Sequence, residues 1–179
     1  MRCLLLCLLC WPLFSFAADT RIVRDGLSFY LSARTPEQTD AFYSARGLAQ
    51  PAVQAIAQTC FLTVGLHNRS ADIVWLDLAQ WRFADASGRE IMRISLPEWA
   101  ARWQKMGVPL AAQATFGWTQ LPETRDMQPD EDVGGNVPLI PPPGEFTLVA
   151  RFPTGATGKG KPIIISVPGL TCPRDGVVK

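Results

Sequence analysis

Few side chains in this chain could do chemistry. His67 is its one histidine. A Ser-His-Asp or Cys-His arrangement would need it as the base. It stands next to Asn68 at the end of an apolar alternation, in no nucleophile motif, and Gly-x-Ser-x-Gly and His-Glu-x-x-His are absent. Glu123, Asp126, Asp130, Glu131 and Asp132 precede Gly134-Gly135-Asn136 and raise calcium, because hard cations take oxygen ligands. Counted from Asp130, the twelfth position is Pro141 where an EF-hand loop carries Glu. The cluster therefore reads as a solvated acidic loop, and neither a metal site nor a cofactor is expected. Paired acids for hydrolysis need only geometry, but no pair stands out by spacing. The chain is expected not to be an enzyme, with a carboxylate-based hydrolase as the remote alternative.

The cysteines carry more information. Five occur, and three of them, Cys3, Cys7 and Cys10, lie in an N-terminal stretch with its own layout. Arg2 is followed by an apolar run from Cys3 to Phe14, and Ser15-Phe16-Ala17 ends it with small residues at the −3 and −1 positions. Such a layout is that of a secretory signal peptide, cleaved after Ala17 or Ala18. The run is too short to span a bilayer, and no later run offers a transmembrane segment. An uncleaved anchor and a lipoprotein leader are the competing readings, the latter opposed by Leu6 and Leu9 ahead of Cys7 and Cys10. Residues 1–17 are thus assigned to a leader and 18–179 to a single domain, periplasmic or secreted.

After processing only Cys60 and Cys172 remain, so one intramolecular disulfide is available; two free buried thiols are the alternative. Loss of Arg2 leaves basic and acidic side chains balanced. That balance gives no electrostatic case for nucleic acid or an anionic membrane.

The elements that must position these residues follow from periodicity. Leu62, Val64 and Leu66 alternate with Thr63 and Gly65, which predicts a half-buried strand with Cys60 on its inward face. Phe146, Leu148, Ala150 and Phe152 alternate in the same way, and Val74, Leu76 and Leu78 give a third strand. A parity switch near Ala79-Gln80 predicts a bulge before Trp81-Arg82-Phe83. Asp85-Ala86-Ser87-Gly88 is a turn from which Arg89 to Ile94 would return as a partner strand. Gly26 to Leu31, Gln113 to Trp118 and Pro162 to Val167 are further strand candidates. Helices are predicted after Thr35, from Pro51, and from Leu96, where Trp99 and Trp103 stand one turn apart. The stretches 126–144 and 153–162 read as loops.

The run Phe61 to Ser70, then Val74-Trp75-Leu76, then Phe83 to Gly88 resembles a layout common in secreted bacterial immunoglobulin-like domains. Leu121-Pro122 through Glu131 and Pro143 to Leu148 are similar to the later part of such domains. The alternating strands, with an inward cysteine near the middle and another near the end, point to a mainly β fold, an antiparallel β-sandwich with short helical insertions. The resemblance, over roughly residues 60–152, implies that it is immunoglobulin-like, and the insertions at 35–58 and 96–106 depart from that pattern. A small β-barrel is the alternative. It implies no catalytic residue.

Five tryptophans survive processing: Trp75, Trp81, Trp99, Trp103 and Trp118. Trp75 falls on the parity opposite to Val74 and Leu76. Trp75, Trp99 and Trp103 are the candidate contacts for a ligand or partner, since exposed aromatics can stack on sugars or anchor proteins. The competing reading packs Trp99 and Trp103 over Trp75 as a second small core. The function expected is a non-catalytic exported domain mediating protein–protein interaction in the cell envelope, its partner unknown. A carbohydrate-binding module is the alternative, with glycan as ligand.

Overall fold

Alternation of apolar residues builds the strands, and their inward faces build the core. The computed structural model describes residues 19–173. The leader expected over residues 1–17 lies outside the described residues. Nine strands occur among them: β1 (Thr20–Arg24), β2 (Leu27–Arg34), β3 (Cys60–Asn68), β4 (Val74–Asp77), β5 (Trp81–Asp85), β6 (Thr124–Met127), β7 (Asp132–Leu139), β8 (Phe146–Phe152) and β9 (Ile163–Leu170). One sheet has the order β1-β2-β3-β7, a second the order β5-β8-β9, and β4 with β6 forms a two-stranded ribbon. Every strand pairing is antiparallel. The sheets are stacked and not closed into a barrel, so the architecture is a mainly β, sandwich-like fold with short helices.

The inner faces meet through Phe29, Leu31, Leu62 and Val64 of one sheet and Trp81, Leu148, Phe152 and Ile165 of the other, all buried. The Phe29 ring centroid lies 6.0 Å from that of Trp81 and 6.4 Å from that of Phe152. Such offset aromatic contacts add about 0.5–1.5 kcal/mol each beyond area burial. Cys60 and Cys172 are joined by a disulfide across a sequence separation of 112. It ties β3 of the first sheet to the segment that follows β9 of the second.

Four α-helices sit between strands: α1 (Pro36–Ser44), α2 (Gln50–Ala57), α3 (Leu96–Met106) and α4 (Leu110–Trp118). Thr35 and Gln38 close a capping box on α1, and Ser95 and Glu98 close one on α3. Gly107 ends α3 at φ 65°, a left-handed position that glycine takes at little cost. The helices form a second core from Tyr43, Val53, Ile56, Trp99, Trp103 and Phe116. Phe61 joins this core. Its neighbours Cys60 and Leu62 in β3 point the other way, into the sandwich.

Several local expectations are corrected. Gln113 to Trp118 is not a strand but the larger part of α4. Thr115, Phe116 and Trp118 favour strands intrinsically, yet Phe116 completes an aromatic cluster with Trp99 and Trp103 that only a helix here allows. The stretch 126–144 is not one loop, since it contains the end of β6 and the whole of β7. Its glycines concealed the strand. A Cβ on Gly135 would come within 2.3 Å of the Leu121 nitrogen, so glycine is required for that close approach. Strand β1 was not anticipated. Arg89 to Ile94 returns as two isolated bridges, at Glu90 and Arg93, and not as a strand. The expected bulge at Ala79-Gln80 is a 3-10 turn, Leu78–Gln80, which carries the chain from the β4-β6 ribbon into the second sheet.

The covalent link sets the first prediction. Closing a loop this long removes conformational entropy from the unfolded chain, and loss of a native disulfide typically costs about 2–5 kcal/mol. Cys172→Ala, or reduction of the wild-type domain, is expected to lower the unfolding free energy by that amount and to shift the urea midpoint down, with a somewhat larger m-value because the uncrosslinked chain unfolds to a more expanded state. An unchanged midpoint would contradict it.

Candidate functional site

Among the described residues one tryptophan is largely exposed. Trp99 and Trp103 are stacked with centroids 4.6 Å apart and are 1% and 2% exposed. Phe116 lies 4.9 Å from the first ring and 5.3 Å from the second. Neither indole offers a face to a ligand. Trp75 is half-buried, away from that cluster, and its Nε1 donates to the Gly155 carbonyl at 2.8 Å. It fastens the 153–160 loop, so the second core forms without it. Trp118, at the C-terminal end of α4, is 85% exposed. Reading residues 113–118 as a strand obscured it; at helical spacing Leu110, Ala114 and Trp118 fall on one stripe, and all three are exposed.

His67 lies in a cross-strand row in which Ser28 of β2 pairs with His67 of β3, and His67 with Asp132 of β7. The row has the residue types of a hydrolytic triad but not its geometry. His67 Nδ1 is 2.8 Å from an Asp132 carboxylate oxygen, and Nε2 is 3.2 Å from Asp130. The nitrogen that would take a proton from Ser28 thus faces a carboxylate, and the Ser28 hydroxyl is buried with no hydrogen bond to it. Two acids of the cluster's flank, Glu123 and Glu131, are paired with arginines. Glu123 accepts two hydrogen bonds from Arg93, at 2.8 and 2.6 Å. Glu131 accepts from the Gln128 amide at 2.9 Å and is paired with Arg125. Those interactions, the Gln128 bond foremost, hold the Glu131 carboxyl below the usual range. Among the described residues no group of three or more His, Cys, Asp or Glu could hold a metal ion.

Asn68 is a structural hub. Fully buried, its Nδ2 donates to the carbonyls of Asp72, Met127 and Gln128, and its Oδ1 accepts from the Ser70 amide and hydroxyl. The Asn68-Arg69-Ser70 sequon is therefore committed to holding two turns together, and its amide nitrogen is inaccessible in the folded chain.

Beside the exposed stripe of α4 lies an open cleft of about 400 Å³. Gly117 and Trp118 form one side, Val133 and Gly134 of β7 the other, and Leu96, Leu121 and Pro122 the apolar floor and end. Arg125 and Asp132 supply its charged groups. Helix α4 carries no charged residue, and its one large buried side chain is Phe116. Its residues are mostly apolar, with Gln113 and Thr115 the polar ones, and Leu110 is 81% exposed. Patches of this kind mark interaction surfaces in soluble proteins.

No protein-family model matches the chain, and no curated protein matches it. The chain is similar to a solved structure from Bacillus subtilis, described as a "putative lipoprotein" (YcdA), at 12% identity and a TM-score of 0.44. The similarity covers 85% of this chain and 39% of that one, so the chain spans well under half that protein's length. Among the described residues no helix is long and apolar enough to cross a membrane.

The contrast between tryptophans sets two expected outcomes. Trp103→Ala, which empties a packed core site, costs about 3–5 kcal/mol, while Trp118→Ala stays within about 0.5 kcal/mol of wild type. Acrylamide quenching of the mature domain is expected to show one accessible emitter that disappears in Trp118→Phe; quenching unchanged by that substitution would place the free indole elsewhere. Asn68→Ala leaves several buried carbonyls unpaired at about 1–3 kcal/mol apiece, and a thermal melt within a degree of wild type would contradict the hub.

Proposed function

We propose that this chain is an exported, non-catalytic binding domain that contacts another protein of the cell envelope through α4 and the cleft beside it. The observation that carries this reading is the uncharged stripe Leu110, Ala114 and Trp118, turned to solvent on a helix held rigidly from behind by Phe116. Binding energy in protein interfaces concentrates in a few large side chains, tryptophan foremost, and a pre-ordered helix loses little entropy on docking. Export is supported by the leader and by the Cys60–Cys172 disulfide, a bond that persists in oxidising compartments. A non-catalytic role is supported by the pairing of His67 with two carboxylates and by the dispersal of the acids among arginines. Carbohydrate is the second reading, favoured only by the free ring face of Trp118.

A photo-crosslinking amino acid tests the surface in its native compartment. Placed at position 110 or 118 it is expected to give a discrete protein adduct. Placed at Ser166, exposed on the outer face of β9, it is expected to give none. Leu110→Glu should lower the yield at position 118 several-fold. Equal labelling from all three positions, or none from any, would refute the assignment; an indole emission shift with envelope glycans and no protein adduct would favour carbohydrate.

A further inference from the structure

Strand β7 carries a second signal that α4 does not explain. In an antiparallel strand alternate residues turn their N–H and C=O to opposite sides. Asn68 N–H donates to the Glu131 carbonyl, so Glu131, Val133 and Gly135 face β3. Asp132, Gly134, Asn136 and Pro138 therefore face away from it. Further along the strand these outward groups are already paired by the chain itself. Asn136 N–H donates to Thr119 and its carbonyl accepts from Leu121, and the Pro138 carbonyl accepts from Ile94. At Asp132 and Gly134 no such bond forms among the described residues, and both residues are exposed and line the cleft. The opposite edge of the sheet, β1, is guarded by arginines, and Arg24 reaches across to the Ile164 carbonyl.

Resting on the protein-binding reading above, we infer that the cleft receives an extended segment of the partner, which adds to the open edge of β7 at Asp132 and Gly134 while one of its side chains packs on Trp118. The edge offers two outward N–H and two outward C=O groups at strand spacing, which match a peptide backbone and no less regular ligand. The chain already makes this pairing with itself one step along, where Gln120 bridges Asn136 in parallel. The bound segment continues that pattern. Gly134 presents no side chain to the cleft, and Arg125, paired with Glu131, and Asp132, paired with His67, border it as charged groups already held in place.

The test uses the disulfide-intact mature domain and a displayed library of random twelve-residue peptides. Selected peptides are expected to shift the backbone amides of Asp132 to Gly134 together with the Trp118 indole signal. Methylating one backbone nitrogen of the bound peptide, or Gly134→Pro in the domain, is expected to weaken binding about tenfold, as loss of one hydrogen bond of some 1.4 kcal/mol does. Proline suits that position because the N–H it removes bonds nothing in the fold, and Pro138 already occupies an outward site on the same strand. The methylated peptide keeps the test decisive if the proline variant fails to fold. Peptides that shift only residues 110–118 would overturn the edge inference and leave the α4 reading intact. Selection of no peptide, equal affinity for the methylated analogue, response to glycans alone, or self-association abolished by Gly134→Pro would each overturn it too.

Discussion

Strand β3 is the shared wall on which the structure depends. Leu62, Val64 and Leu66 look into the sandwich, and Phe61 looks out into the helical layer. Cys60 binds the same strand covalently to the chain beyond β9. One strand thus belongs to two cores and carries the disulfide. The helices cannot shift against the sheets without moving Phe61, whose ring meets Tyr43 edge-on at 5.9 Å.

The two layers are held differently. The sandwich core is largely apolar and aromatic, with close ring contacts between the sheets at Phe29 and within the second sheet between Trp81 and Phe152. The helical layer adds a polar seam in which the Tyr43 hydroxyl, Thr119 and Gln120 share hydrogen bonds at 2.6–3.1 Å. Burial raises the Tyr43 pKa, keeping the phenol neutral and able to donate within that seam. Trp99 and Trp103 in the helical layer, and Trp81 in the sandwich, bury indole nitrogens that find no protein acceptor among the described residues, which costs some stability in both layers.

The sandwich was legible because burial on one face imposes a period of two, and Cys60, Leu62, Val64, Phe146 and Leu148 keep it strictly. The capping box at Thr35 marked one helix start for an equally local reason, and Pro97 with Glu98 marked another. What escaped reading was set by contacts distant in sequence. Strand β7 carries Gly134, Gly135 and Pro138, poor strand residues that this edge accepts because Gly135 must pass close to Leu121 and Pro138 has no ladder N–H to lose. Helix α4 was hidden because Phe116 and Trp118 favour strands until Trp99 and Trp103 supply a helical partner. The proposed surface lies in these two places: Trp99 and Trp103 are buried and Trp75 half-buried, whereas Trp118 and Gly134 are exposed.

Native-state hydrogen exchange on Phe61→Ala, compared with wild type, tests most directly whether β3 couples the two layers. The account predicts faster exchange across α1 to α4 while the amides of β2, β3 and β8 keep their protection. Uniform loss of protection across both layers, or helices that exchange as slowly as before, would contradict it.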